Sequence, residues 1–162
     1  MLKKTAVLGF GNPVRSDDGV GCFVIEQLKS RLGDDSPQGL TLLDMGTSAF
    51  EMLFQLQGHN RLILVDAVLN SNEPDGTLFR LPASETAAAI QEDPMVFLHS
   101  LKWDQALSYA KKILGPAYPE DISVYLIAVT DTRLEIGLSD PVRQAGLQVC
   151  GLILEDIAVP AT

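Results

Sequence analysis

Two aspartates in succession, Asp17 and Asp18, interrupt a glycine-rich stretch, "GFGNPVRSDDGVG" over residues 9–21. Adjacent acids can hold a cation, accept a proton or cap a helix, but they repel the phosphate that glycine loops commonly cradle. A dinucleotide fingerprint wants a third glycine where Val14 stands, although Asp44 ends the next apolar run as a ribose-binding acid would. A P-loop closes on Gly-Lys-Ser/Thr, whereas the only positive charge in this loop is Arg15. Asp17 is equally suited to capping, since an acid at a helix N-terminus accepts orphan amide bonds and favours the dipole. Two successive acids cannot fill one cap position, so Asp18, beside Gly19 and Gly21, is the stronger candidate for ligand chemistry.

Two further residues join it. Asp66 splits the apolar run "LILVDAVL", and an acid ending a buried strand calls for a partner. His99 lies in "VFLHSLKW" at a loop-to-helix junction, while His59, in "QGHNR", precedes the strand of Asp66 and belongs to the opposite edge. In open α/β sheets the ligand crevice lies outside the carboxyl ends of the strands, where strand order reverses. If the first three strands lie in the order 2-1-3, Asp18 and Asp66 flank one crevice. Two carboxylates about 4 Å apart at an effective dielectric near 20 repel by roughly 4 kcal/mol, or about 3 pKa units on one of them. Such a pair shares a proton or takes a cation. With His99 the set offers two oxygens and one nitrogen, which suits nickel or zinc better than magnesium, and the spacing does not choose between those two.

The elements that must position these residues alternate along the chain. Thr5 to Gly9 reads as a strand, and Val20 to Leu32 as a helix with Val20, Phe23, Val24, Leu28 and Leu32 near helical spacing. Leu40 to Asp44 and Leu62 to Asp66 read as buried strands around a helix at Ala49 to Leu56. "NSNEPDGT" breaks the pattern before a strand at Leu78 to Leu81, and "SETAAAIQEDP" is an irregular or briefly helical excursion. Trp103 to Leu114 reads as a helix stopped by Gly115-Pro116, and Ile122 to Val129 as a strand. Ser139 or Asp140 caps a last helix with Pro141 in its first turn and a stripe of Leu147, Cys150, Ile153, Leu154 and Ile157. The fold class expected is α/β, a three-layer α/β/α sandwich on a mainly parallel twisted sheet, in one domain over 1–162.

Composition narrows the function. A net charge of -9 opposes a phosphate backbone, so nucleic acid is not expected as a partner. No apolar run approaches the roughly 20 residues of a membrane span. "MLKKTAVLGF" opens like a signal peptide but meets glycine and charge instead of a small-residue cleavage site, and reads as the first strand. The two cysteines, Cys22 and Cys150, fall in apolar helical patterns and suit buried free thiols in a reducing compartment, the cytoplasm.

Taken together, Gly9-Phe10-Gly11-Asn12 and Asp17-Asp18-Gly19-Val20-Gly21 resemble the signature of the hydrogenase maturation endopeptidases. "LLDMGTSAFEML" is similar to that family's Asp-x-Gly-Thr segment, "LILVDAV" to its second acidic strand end and "FLHSL" to its histidine segment, all in the expected order. The resemblance implies a protease that removes a C-terminal extension from the precursor of a nickel-iron hydrogenase large subunit after nickel insertion. It maps the metal-binding trio onto Asp18, Asp66 and His99 and makes Asp44, matching the acid before Gly-Thr, a candidate for cleavage or substrate positioning; on chemical grounds a free carboxylate, Asp17 or Asp44, is the candidate base. It implies no resident cofactor, because nickel comes with the substrate, although zinc or cadmium could occupy the site. Two departures stand out: the second loop acid is often Glu where this chain has the shorter Asp18, and "AVTDTRLEIGLSDPV" lacks a proline expected near Thr130. Readings from other classes are a nickel- or precursor-binding chaperone without activity and a magnesium phosphohydrolase; for the latter "LVDAV" lacks a second acid two residues on.

Overall fold

In the computed structural model, which describes residues 4–48, 51–82, 103–119 and 121–158, the first apolar run becomes β1 (Thr5–Phe10) and leads through a 3-10 turn (Ser16–Gly19) into α1 (Val20–Leu32). β2 (Leu40–Gly46), the short α2 (Met52–Leu56) and β3 (Arg61–Leu69) follow, then β4 (Leu78–Pro82), α3 (Trp103–Leu114), β5 (Asp121–Val129) and α4 (Asp140–Ala158). The five strands lie in the order β2-β1-β3-β5-β4. The first four in that row are parallel, and β4 closes the edge antiparallel to β5. The 2-1-3 order that brings the loop after β1 beside β3 is therefore present.

Parallel strands flanked by helices are buried on both faces, which is why β1 and the middle of β3 carry no exposed residue. On one face Ala6, Leu8, Leu62 and Leu64 pack with Met52 and Leu56 of α2 and Trp103, Ala106 and Ala110 of α3. On the other, Val7, Ile63, Val65 and Tyr125 pack against α1 and α4. A Leu or Ile taken fully from water in such a layer contributes about 1.5–3 kcal/mol. The two layers of helices around one sheet make the α/β sandwich.

Several boundaries differ from the sequence reading. β3 continues to Leu69, so Asp66 lies within a strand and not at its end. The reason is register: β1 pairs with β3 only as far as Gly9 opposite Val65, while β5 accompanies β3 onward through Asp66 opposite Leu126. Asp66 is thus the first residue of β3 past its pairing with β1, and the crevice opens there. β2 likewise runs two residues beyond Asp44, with a register shift after Gly9 that sets Phe10 opposite Gly46. In α4 the buried stripe is Val142, Ala145, Val149, Cys150 and Ile153, and Leu147 lies at its margin. The excursion "SETAAAIQEDP" and His99 lie outside the described residues, as do the first residues of the helix expected from Ala49. Among the described residues no helix is long and apolar enough to cross a membrane.

Candidate active site

The loop after β1 owes its shape to glycine. Gly21, in the first turn of α1, sits so close to β1 that an added Cβ would strike the carbonyl oxygen of Phe10. Gly11 has a φ of 133°, and a Cβ there would strike the carbonyl oxygen of Asp18. These two contacts fold the acid pair back over the end of β1. The glycines serve backbone approach, not phosphate.

The two adjacent acids then point to different tasks. Asp18 turns inward, and its Oδ2 accepts the Asn12 backbone N–H at 2.9 Å. Asp17 is only 1% exposed and faces the opposite way. Its Oδ1 accepts the Ser139 backbone N–H at 2.7 Å and its Oδ2 the Ser139 hydroxyl at 2.8 Å. Neither caps its own helix: no side-chain cap bond forms at the 3-10 turn or at α1. Asp17 instead ties the loop to the entrance of α4. The flanking residues reinforce that tie, with Ser16 Oγ donating to the Arg133 carbonyl at 2.8 Å and Arg15 bridging Glu135.

The surroundings of Asp66 oppose its charge. It is 5% exposed. Its Oδ1 accepts the Ala67 N–H at 2.8 Å, and its Oδ2 the indole N–H of Trp103 at 3.1 Å. Burial pushes its carboxyl well above the ordinary 3.8, and the like charge of Asp18 adds to the rise; the two N–H donors offset only part of it. Asp18 follows β1 and Asp66 lies on β3 just beyond Gly9–Val65, so the strand order sets both at the carboxyl edge of the sheet.

Asp44 completes the rim from the β2 side and is exposed. Its Oδ1 accepts the Gly46 N–H at 2.9 Å and the thiol of Cys22 at 3.0 Å. Burial, the hydrogen bond to Asp44 and the charges of Asp44, Glu26 and Asp18 all push the Cys22 thiol upward, so it stays protonated and serves as a donor. His59 holds the Gln55 carbonyl and Thr41 hydroxyl at the amino edge, away from these acids. His99 lies outside the described residues, and among the described ones no three His, Cys, Asp or Glu side chains gather tightly enough to hold a metal. The sequence reading missed Trp103, Cys22 and Asn12 as partners of the acids. Trp103 carried a signal, as the chain's single tryptophan opening a helix after the histidine segment; the other two bonds depend on side chains meeting across the fold.

A model of the family described as hydrogenase maturation protease matches residues 22–156. The chain belongs to this family. Among the relatives of this maturation protease, the coenzyme F420 hydrogenase subunit delta of Methanothermobacter thermautotrophicus is 28% identical over 156 residues, covering 94% of each chain. The hydrogenase 2 maturation protease of Escherichia coli is 27% identical over 137 residues, 85% of this chain and 80% of that one. The fold of the maturation protease is that of the hydrogenase maturating endopeptidase HybD from E. coli, with a TM-score of 0.79 at 22% identity over 96% of this chain and 92% of that chain. The [NiFe] hydrogenase maturation protease HybD of Thermococcus kodakarensis gives a TM-score of 0.73 at 22% identity, over 96% and 99% of the two chains.

Proposed function

We propose that this protease removes the C-terminal extension from the nickel-loaded precursor of a nickel-iron hydrogenase large subunit, and that it recognises the nickel its substrate carries. The observation that carries the reading is Asp66, a carboxyl held by N–H donors and raised by burial first and by its neighbour Asp18 second. A cation brought by the substrate relieves the cost of charging both acids in one crevice. Asp18 and Asp66 supply two oxygens and His99 the nitrogen, a donor set for a borderline ion such as nickel, and for zinc or cadmium in its place. The nickel is cargo, so the protease keeps no metal of its own.

Of the two candidate bases, Asp44 suits the reaction better. Both oxygens of Asp17 are engaged by Ser139, whereas Asp44 is exposed and only its Oδ1 is held. Asp44 takes a proton from water as its oxygen bonds to the scissile carbonyl carbon. The carbon–nitrogen bond then breaks and the proton passes to the leaving nitrogen, as general acid–base catalysis requires. Two buried free thiols fit work in a reducing cytoplasm.

Mass spectrometry of a nickel-loaded precursor before and after incubation tests the proposal. The expected result is loss of one C-terminal peptide, and a fall of at least about a hundredfold for Asp18→Asn, Asp66→Asn and His99→Ala. Unaltered cleavage by all three variants removes the trio from the chemistry. A complex that forms without peptide release identifies a chaperone instead.

A further inference from the structure

The segment between β5 and α4 runs beside the acid loop and presents apolar side chains to water. Leu134 is 73% exposed, Ile136 83%, and Val14 across from them 46%. Single exposed apolar residues are ordinary, but here three lie on two segments joined in one strip. Glu135 donates its N–H to the Val14 carbonyl at 3.0 Å and accepts the Ser16 N–H at 2.8 Å. Leu134 and Ile136 lie in bends on either side of this single bridge. Among the described residues neither Leu134 nor Ile136 makes a backbone hydrogen bond. The result is an exposed apolar patch on two loops held together by that single bridge, a surface of the kind that receives a partner segment.

Charge says what kind of peptide. Beside the strip lies an open cleft of about 770 Å³, whose lining includes Asp75, Asp131 and Glu135 against the single cation Arg133. Arg133 is already engaged with Asp131 at 2.8 Å. In a chain of net charge -9, this cleft favours a cationic segment. The strip is also continuous with the candidate site, because the bridge to Arg15 and the Asp17–Ser139 bonds fix it to the loop that carries Asp18.

We infer that Val14, Leu134 and Ile136 form the docking strip for a positively charged segment of the precursor, which packs on these side chains and leads the scissile bond toward Asp18 and Asp66. This rests on the proposed processing of a hydrogenase precursor and names the surface that selects it. The strip supplies affinity, and takes no part in the bond-breaking step.

The test uses the full-length protease and a nickel-loaded large-subunit precursor, with the paired change Leu134→Asp and Ile136→Asp and, as a control on another exposed apolar residue, Phe54→Asp. The expected result is a rise in KM of about tenfold or more for the paired change, with kcat and melting temperature near the parent's and no effect of Phe54→Asp. Raising salt from about 0.05 to about 0.5 M should raise the parent's KM as well, because screening weakens the charge attraction. A paired variant with the parent's KM overturns the inference while leaving the processing reading intact. So does a paired variant that only turns a dimer into a monomer, since the strip would then join two copies of this chain. A parent protease that neither binds nor cuts the precursor overturns both.

Discussion

The two rims of the sheet treat their acids in opposite ways. At the amino rim Asp156, near the end of α4, is saturated: Arg80 donates to Oδ1 at 2.7 Å, Tyr125 donates to Oδ2 at 2.7 Å, and Arg61 lies within 4.0 Å. Arg61 also donates to the Asp156 backbone carbonyl, and the Arg80 guanidinium rests over the Tyr125 ring. At the carboxyl rim Asp17, Asp18, Asp44 and Asp66 accept from backbone amides, an indole, a hydroxyl and a thiol. Among the described residues none of these four has an Arg or Lys partner. An acid neutralised inside the fold contributes to stability, whereas one held in place without a counter-charge keeps its affinity for a cation that arrives from outside. By its neighbours Asp156 is a structural acid, and the acids of the carboxyl rim remain candidates for work.

The sharpest way to break this division is to neutralise one acid on each rim. Asp66→Asn is expected to lower precursor cleavage by at least about a hundredfold, and Asp156→Asn to leave kcat near the parent's, in a single-turnover assay. Asp156→Ala, in urea denaturation, should cost about 2–4 kcal/mol by stranding Arg61 and Tyr125, with the same kcat for the molecules that remain folded. An intermediate case is Asp17, which belongs to the carboxyl rim but whose two oxygens are used structurally. Asp17→Ala should cost about 2 kcal/mol of stability and Ser139→Ala less, because the Ser139 backbone bond survives in the second variant. A double-mutant cycle should show coupling of about 1 kcal/mol, and independence of the two changes would mean that the clamp is not formed in solution.

Trp103 supplies a reporter, being the chain's single tryptophan with its indole N–H on Asp66. Nickel(II) titration should change its fluorescence in the parent and not in Asp66→Asn, and Trp103→Phe should cost about 1 kcal/mol. The smallest effect lies far from either rim. Burial raises the Cys150 thiol from 9.0 to about 11, so between those values the folded chain binds more protons than the unfolded one. Stability therefore falls as pH rises through that window, and the fall should be shallower for Cys150→Ala in thermal melts at stepped pH.

Much of this was legible from local pattern. Val20–Leu32 and Trp103–Leu114 could be read to their ends because helical spacing and a following glycine, Gly33 or Gly115, both mark the stop. The carboxyl location of Asp18 and Asp66 followed from the alternation of strands and helices, which restricts the topology to few arrangements. What stayed hidden was set by contacts between distant segments. The extension of β3 past Asp66 depends on β5 alone, because its pairing with β1 has already ended. The different duties of Asp17 and Asp18 depend on Ser139, a partner no spacing rule could indicate, and the antiparallel edge at β4 depends on how the chain returns to β5.

The bond between Asp17 and Ser139 joins positions separated by 122 residues. Closing so wide a loop is entropically late, and it cannot happen until the segment preceding the final helix has been synthesised. The loop that carries Asp18 therefore gains this tie only after Ser139 has joined the chain, however early its own residues are made.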